Sequence, residues 1–202
     1  ANPPAHRWRP AVGQHFSDVE RTISNRTVLK NRYELMTIIG RGHFSVVHRA
    51  KDTLTAKDVA IKVINDPESP EPAIFKYLEH PNIVQNLNTF TLDGKLYLVM
   101  EYHPLTLNNY LKFQQLRGDE AKLKPLFKQL VRAVEHLHTQ GIVHRDIKLE
   151  NILVEPPHLE ESGKLHPCIK LIDFGLAVRI GDKGSKSLGF RDFCGTPNYV
   201  AP

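Results

Sequence analysis

The chain has 202 residues, of which 41% are hydrophobic, and it carries a formal net charge of +5. This length predicts one domain or two small ones, with enough apolar residues for a packed core. No apolar run reaches the roughly 18–20 residues of a membrane-spanning helix, and the first residues lack the apolar segment of a secretory leader. The two cysteines, Cys168 and Cys194, cannot form a disulfide framework, which indicates a reducing compartment, the cytoplasm or the nucleus.

The charge distribution argues against two classes of partner. Basic residues are spread among acidic ones, so the positive net charge is interpreted as a solvated surface. We therefore expect neither a nucleic-acid partner nor a membrane partner. The binding of a nucleic-acid-binding protein to its ligand would weaken steeply with added salt.

The first half of the chain reads as mostly β-structure. Residues 1–32 are polar, contain prolines and are expected to form an extension or linker. From Tyr33, "YELMTIIGRGHFSVVHRA" predicts two strands around a glycine turn, and "KDVAIKVI" predicts a third strand. "IVQNLNTFTLDGKLYLVMEY" predicts a β-hairpin that turns at Asp93-Gly94.

The second half switches to a helical period. Apolar residues spaced 4, 3, 4 and 3 apart predict one helix face, formed by Leu123, Phe127, Leu130, Val134 and Leu137. Gly141 is expected to end this helix. A β segment, "CIKLI", follows later, and the tail is rich in Gly and Ser and reads as an irregular loop.

The stretch "GIVHRDIKLENILV" concentrates polar residues between two apolar runs. Asp146 can orient an attacking hydroxyl and accept its proton. Lys148 can neutralise charge on a transferred phosphoryl group, and the amide oxygen of Asn151 can bind Mg²⁺. Asp173, in "DFG" after the later β segment, would be a second metal ligand. A plain polar turn does not require this combination at fixed spacing.

Two further motifs are weak when taken alone. Gly40 and Gly42 lie between two strands, where backbone N–H groups can approach phosphates, although a plain hairpin turn is the commoner explanation. The strand–turn–strand context argues against a Rossmann or Walker loop, since both need a following helix. Lys62 ends the "VAIK" strand, and such a lysine commonly extends to solvent.

Together and in this order, these motifs resemble the eukaryotic protein kinase family, Ser/Thr type. The likeness covers residues 33–202 and ends on the "AP" of an A-P-E motif. It implies an α+β, two-lobed protein-kinase-like fold. Residues 33–103 would form the β-rich N-lobe and hinge, and residues 104–202 an incomplete, mainly helical C-lobe through the activation segment.

The resemblance also implies the cofactors ATP and Mg²⁺ and a protein substrate with Ser or Thr. By resemblance, Asp146 and Lys148 are catalytic, and Asn151 and Asp173 hold the metal. Met100 would be the gatekeeper. The implied nucleotide-binding residues are Ile39, Gly40, Gly42, Ser45, Val47, Ala60, Lys62, Glu71, Glu101, His103 and Leu153. Lys148 and "CGTPNYVAP" favour Ser/Thr over Tyr specificity.

The region before the hairpin departs from the family pattern. Glu71, the expected ion-pair partner of Lys62, directly precedes Pro72, which disfavours the helical region for the residue before it. We therefore expect the helix over about 72–79 only, with Glu68 as an alternative partner. Asn86 falls where the family has an apolar residue of its regulatory spine.

Three later departures also matter. The insertion "EPPHLEESGKLHP" is expected to be a surface loop or a docking site. Asp192 occupies a position that many relatives phosphorylate, so we hypothesise that it mimics a phosphate by pairing with Arg145; a requirement for phosphorylated Ser185 or Ser187 would argue against this. The chain stops before the A-P-E glutamate, so this piece alone is expected to be poorly stable and inactive. The competing hypothesis is a pseudokinase or scaffold with a defective helix in the N-lobe.

Overall fold

The computed structural model describes residues 27–42, 45–116, 118–159, 165–180, 195–196 and 199. A six-stranded antiparallel sheet forms the amino-terminal part, in the spatial order β1-β2-β3-β4-β6-β5. Its strands are β1 (Val28–Leu29), β2 (Tyr33–Arg41), β3 (Ser45–Asp52), β4 (Lys57–Ile64), β5 (Asn86–Leu92) and β6 (Lys95–Glu101). The predicted strands and hairpin are confirmed, and the sheet also takes in two residues of the segment read as an extension.

The β5–β6 hairpin closes through a tight turn at the predicted place. Asp93 has φ +50° and Gly94 has φ +69°. Positive φ at both central residues is the type I′ geometry, which matches the twist of the flanking strands and favours Asp-Gly.

The two faces of the sheet bury different sets of residues. One face forms a small cluster that includes Val59 and Ile61 of β4. The other face contributes Ile64 of β4, with Leu98 and Met100 of β6, to the main core that continues into the second half of the chain. Because side chains alternate along a strand, Lys62 shares the face of Ile64 and points toward that main core.

A single short helix, α1 (Glu71–Phe75), connects β4 to β5. The expectation of a helix over 72–79 is wrong at both ends. Glu71 is the first helical residue, because Pro70 adopts a helical conformation (φ −73°, ψ −10°) and Pro72 falls within the first turn, where no N–H is needed. The helix ends early because Tyr77 and Leu78 donate to carbonyls three residues back, which tightens the chain into a turn.

Where the structure describes it, the carboxyl-terminal part combines two α-helices, a 3₁₀ turn (Leu149–Asn151) and two small sheets. The helices are α2 (Leu107–Phe113), which the sequence analysis did not predict, and α3 (Glu120–Thr139). The strands are β7 (Leu105–Thr106), β8 (Ile142–Val143), β9 (Ile152–Leu159), β10 (Leu165–Leu171) and β11 (Val178–Arg179). They pair in the orders β10-β9-β7 and β11-β8. Gly141 follows α3 with φ +70°, which confirms it as the residue that ends the helix.

The predicted core face of α3 is confirmed in part: Leu137 is buried and Leu130 packs against the main core, but Phe127 does not. Its buried residues are Leu126, Ala133 and Leu137, whereas Phe127 is 66% exposed. Phe127 and Val131 line an open apolar groove of about 700 Å³ on the outer side of the helix. The apolar stripe of α3 is broad, so the spacing alone could not indicate which edge of the stripe packs inward.

The insertion after Asn151 extends a hairpin of strands. Strand β9 runs through Leu159 and β10 starts at Leu165, with Leu165 opposite Leu159. The expected surface loop is therefore mostly strand, except for residues 160–164, which lie outside the described part. No helix in the described part of the chain combines the length and apolar character needed to cross a bilayer.

Candidate active site

Lys62 lies at the centre of a group of three charges. Its Nζ is 2.7 Å from both carboxylate oxygens of Glu71 and 2.8 Å from Oδ1 of Asp173. Glu71 is only 3% exposed. The ion pair with Glu71 therefore forms despite Pro72, and Glu68, which is exposed, does not replace it. Both bonds to Glu71 have charge-assisted geometry, which makes this pair a strong one.

Electrostatics favour the charged forms of Lys62 and Asp173, whereas burial raises the pKa of Glu71 above its ordinary value. Burial by itself lowers the pKa of Lys62, but the carboxylates of Glu71 and Asp173 outweigh it, so the pKa is raised above its ordinary value. Burial likewise raises the pKa of Asp173, but the neighbouring ammonium group of Lys62 brings it below its ordinary value.

The segment 173–175 is shaped around this group. Asp173 has φ +65°, and the Gly175 N–H donates to its Oδ1 at 3.4 Å. A Cβ on Gly175 would lie 3.3 Å from that oxygen and 3.4 Å from Lys62 Nζ. Glycine therefore leaves room for the ion pair between Lys62 and Asp173.

Phe174 anchors the same segment in the core. It is 1% exposed, and its ring contacts Phe75 of α1 edge-on, with centroids 5.2 Å apart. The His144 ring also contacts the Phe174 ring edge-on, with centroids 5.0 Å apart. The two aromatic contacts tie α1 to the loop that follows β8.

His144 is the internal brace of that loop. Its Nδ1 accepts from the Asp146 N–H at 3.2 Å, so its Nε2 carries the proton and donates to Ile172 O at 3.0 Å. Burial lowers the pKa of His144, which favours this neutral form. Ile172 N–H in turn donates to Asn151 O at 2.9 Å. These bonds hold Asp173, the next residue, beside the loop.

Asp146 accepts bonds on both oxygens. Its Oδ2 is 2.8 Å from Lys148 Nζ and 2.9 Å from Asn151 Nδ2. Its Oδ1 accepts from the Thr196 hydroxyl at 2.7 Å, and Lys148 Nζ also lies 2.8 Å from that hydroxyl. The structure thus brings together the three predicted residues 146, 148 and 151 and adds Thr196.

These contacts keep Asp146 ionised. Burial raises the pKa of Asp146, but the bonds from Lys148 and Thr196 outweigh burial and hold it below its ordinary value. An ionised carboxylate that already accepts a hydroxyl bond can act as a proton acceptor.

The Gly-rich turn lies between β2 and β3, with Gly42 in the turn as predicted, whereas Gly40 lies inside β2 opposite Val47 and not between the strands. Gly42 N–H donates to Ser45 O at 2.8 Å, which closes the turn. A Cβ on Gly42 would lie 3.0 Å from Ser45 Oγ, and one on Gly40 would lie 3.5 Å from Val47. Side chains at either glycine would fill space next to this turn, so the backbone remains open to a bound group.

The other predicted nucleotide-binding residues lie on neighbouring strands. Val47 is opposite Lys62, and Ala60 is opposite Met100, in the paired strands β3, β4 and β6. Ile39 of β2 is half-exposed. Leu153 lies in the second sheet, opposite Thr106.

Glu101 and His103 follow at the end of β6. Burial raises the pKa of Glu101, but His103, the Gln85 N–H and Lys170 more than compensate and hold it at about 2. His103 Nε2 lies 3.1 Å from the Glu101 carboxylate and Lys170 Nζ also lies 3.1 Å from it. The Glu101 N–H donates to Gln85 O at 3.1 Å. These contacts fix the backbone at the end of β6.

Two of the sequence hypotheses have a partial outcome. Arg145 has φ +66° and donates through Nε to Leu176 O at 2.7 Å. Its proposed partner Asp192, like Ser185 and Ser187, lies outside the described residues. The Asn86 amide oxygen accepts from Thr89 Oγ1 at 2.9 Å, and its nitrogen donates to the carbonyls of Asn88 and Val99, so this polar residue is satisfied within the β5–β6 pair.

Thr196 is the site residue that the sequence analysis missed. It stands fifty positions after Asp146 in the chain, and only the fold brings the two together. Its one sequence signal is its place in "CGTPNY", which favours Ser/Thr specificity but indicates no contact with Asp146.

Comparison with known proteins agrees with this geometry. The family model described as "Protein kinase domain" matches residues 33–202. CBL-interacting serine/threonine-protein kinase 12 of Arabidopsis thaliana is 36% identical over 190 residues, covering 89% of this chain and 36% of that protein. Serine/threonine-protein kinase cds1 of Schizosaccharomyces pombe is 36% identical over 198 residues, covering 89% and 40%. Hormonally up-regulated neu tumor-associated kinase of Mus musculus is 38% identical over 175 residues, covering 81% and 23%.

The chain therefore spans no more than about two fifths of these relatives' length. The matched range nevertheless includes both the strands around Lys62 and the loop that carries Asp146. The expected two-lobed fold and the resemblance are confirmed, and the chain belongs to the protein kinase domain family.

Proposed function

We propose that the protein transfers the γ-phosphoryl group of ATP to Ser or Thr hydroxyls of a protein substrate. The observation that carries this proposal is the hydroxyl bond at Asp146. An ionised carboxylate that accepts from a Thr hydroxyl at 2.7 Å and is flanked by an ammonium group has the geometry of a general base.

In the proposed reaction the substrate hydroxyl oxygen attacks the γ-phosphorus of ATP. A new O–P bond forms, the bond between the γ-phosphorus and the leaving oxygen of ADP breaks, and the hydroxyl proton moves to Asp146. Lys148 lies 2.8 Å from Asp146, close enough to balance negative charge on the transferred group. This class of reaction depends mainly on positioned charge, so the protein supplies little covalent chemistry.

Lys62 and the Gly-rich turn are proposed to hold the nucleotide. Lys62 is fixed by Glu71 and stays charged, so it can pair with phosphate oxygens. Gly40 and Gly42 leave the backbone of the turn accessible. Val47, Ala60 and Leu153 are proposed to contact the adenine ring, with the backbone of Glu101 and His103 binding its edge.

Asn151 and Asp173 fit a magnesium site by their chemistry. Asn151 uses its amide nitrogen to bind Asp146, so its amide oxygen is the atom that would bind a cation. Asp173 is ionised, and 46% of its side chain is exposed. Oxygen ligands of this type suit Mg²⁺, which when bound neutralises charge on the phosphates.

The pseudokinase alternative loses its main support. It depended on a defective helix before the hairpin, but α1 places Glu71 on Lys62 through two bonds of 2.7 Å. The Asn86 substitution alone removes no charged group from the site.

The proposal is tested by phosphate transfer from labelled ATP with Mg²⁺ to a pool of Ser, Thr and Tyr peptides. The full-length protein is compared with its Asp146→Asn and Asp93→Asn variants. Asp93 lies in the β5–β6 turn, where Asn adopts the same backbone geometry, so this matched variant should keep activity. We expect label on Ser or Thr that is lost only in Asp146→Asn. ATP binding with no transfer by the wild type would overturn the proposal.

A further inference from the structure

Helix α1 depends on outside contacts for its position. It has only five residues, and its N-cap residue, Pro70, makes no side-chain capping bond. Isolated helices shorter than about 12–15 residues are marginal in water, so α1 must be held by its neighbours. Since α1 carries Glu71, whatever holds the helix also places the carboxylate that binds Lys62.

Two of the anchors of α1 belong to the site already described. At its amino-terminal end Glu71 binds Lys62, and at its carboxyl-terminal end Phe75 packs against Phe174. Two residues beyond the helix, Tyr77 supplies a third anchor that the proposed mechanism does not use.

Tyr77 stacks on a cation of β11. The guanidinium carbon of Arg179 lies 4.0 Å from the centroid of the Tyr77 ring. Cation–π attraction operates within about 6 Å of the centroid. This separation is the shortest of the four such contacts in the described part of the chain, the others being 4.9–5.9 Å. Tyr77 is 39% exposed, so the contact lies at the surface.

Arg179 belongs to a strand that is tied directly to the loop of Asp146. It is opposite Ile142 in the β8–β11 pair, two positions before His144. Ile180 N–H donates to Gly141 O at 2.7 Å, which extends the same pairing. The other end of this segment is Asp173, six residues before Arg179. The stacked ring therefore joins α1 to the strands that lead into both parts of the site.

We propose that Tyr77 is a positioning residue for phosphoryl transfer. By stacking on Arg179 it fixes the end of α1 on the β8–β11 pair, and so keeps Glu71 at Lys62. The expected change in kcat rests on the proposed function, whereas the expected effect on the position of α1 does not.

The test is a double-mutant cycle in the full-length protein with Tyr77→Leu, Arg179→Gln and both together. Each single change should lower kcat about two- to fivefold, the range expected for an exposed cation–π contact, with the KM for peptide unchanged. The kcat of the double variant should be no lower than that of the less active single variant. Tyr77→Phe keeps the ring and should keep the wild-type kcat.

Hydrogen exchange provides a readout that does not need activity. The Tyr77 and Leu78 amides, which donate to Ile74 and Phe75, should exchange about two- to fivefold faster in Tyr77→Leu and not in Tyr77→Phe. Amides of β4 should be unchanged in both variants. If Tyr77→Leu does not fold, Arg179→Gln carries the same comparison.

Three results would overturn the inference: unchanged exchange and kcat in both single variants, loss of activity in Tyr77→Phe equal to that in Tyr77→Leu, or fully additive effects in the double variant. An inactive wild type would instead refute the proposed function. The exchange data would then still decide whether Tyr77 and Arg179 hold α1.

Discussion

Replacement of Glu71 by Gln tests how much of the transfer rate depends on the ion pair at Lys62. The change keeps the shape of the side chain but removes the charge that receives two bonds of 2.7 Å from Lys62. Removing one partner of a buried pair costs about 3–5 kcal/mol when the other charge is left alone. Here Asp173 still binds Lys62 at 2.8 Å, so the cost should be smaller.

A value close to that of one charged hydrogen bond, about 1.5–3 kcal/mol, is reasonable for this loss. If the transition state experiences all of it, kcat should fall roughly 10- to 150-fold, because about 1.4 kcal/mol corresponds to a factor of ten. The assay is steady-state transfer to a Ser peptide by the full-length protein, with melting temperatures measured in parallel.

Glu68→Gln is the matched control for this experiment. Glu68 lies three residues before Glu71, is exposed and makes no bond to Lys62 in the structure. Exposed substitutions of this kind usually change stability by less than about 0.5 kcal/mol, so its kcat should remain near that of the wild type. Wild-type activity in Glu71→Gln, or an equal loss in Glu68→Gln, would refute the reasoning.

Three further changes test other parts of the account. Gly175→Ala should lower kcat several-fold, the effect of about 1 kcal/mol. The added Cβ would lie 3.3 Å from Asp173 Oδ1 and displace that carboxylate. An unchanged kcat would show that the site can adjust. Thr196→Val should lower kcat by about tenfold or more, because it removes a hydrogen bond to a charged group. Thr196→Ser keeps the hydroxyl and should keep the wild-type kcat. Equal losses in both variants would exclude a role for the hydroxyl. Asp52 binds Arg32 through two bonds of 2.8 Å, which hold the pKa of Asp52 below its ordinary value of 3.8. The contribution of the ionised Asp52 to stability is therefore present above about pH 4 and is lost as the pH falls further. Asp52→Asn should have a lower melting temperature than the wild type at pH 7. It should also lose less stability in acid, as measured by thermal melts across pH.

The polar residues of the loop after β8 could be predicted because residue type and spacing alone indicate their chemistry. His144, Asp146, Lys148 and Asn151 lie within eight residues, and their contacts with one another are local. The apolar runs that flank them, "IV" and "ILV", form β8 and the start of β9. Local signals of this kind need no knowledge of distant parts of the chain.

The start of α1 could not be predicted, because a local rule and a tertiary contact disagree there. Pro72 disfavours the helical region for Glu71, yet Glu71 is helical and buried against Lys62. The ion pair and the packing of Phe75 outweigh the local preference of the backbone. Such competition between propensity and tertiary contacts is common for short elements.

Two other features could not be predicted from the sequence, for different reasons: the contact of Thr196 with Asp146 and the exact buried edge of α3. Thr196 is fifty residues from its partner, and no local pattern links the two. Helix α3 has apolar residues on two adjacent stripes, so a helical period fits either one. Leu126 packs inward and Phe127 faces the outer groove, a choice that only the neighbouring β-strands decide.

The most direct test of the account is a single-turnover measurement of the transfer step. The full-length protein is loaded with labelled ATP and Mg²⁺ and mixed rapidly with a Ser peptide, for the wild type and for Asp146→Asn. We expect Asp146→Asn to bind ATP as tightly as the wild type but to transfer phosphate at least about 100-fold more slowly, the lower range for loss of a general base. Transfer by Asp146→Asn at the wild-type rate would contradict the assignment of Asp146 and, with it, the central claim.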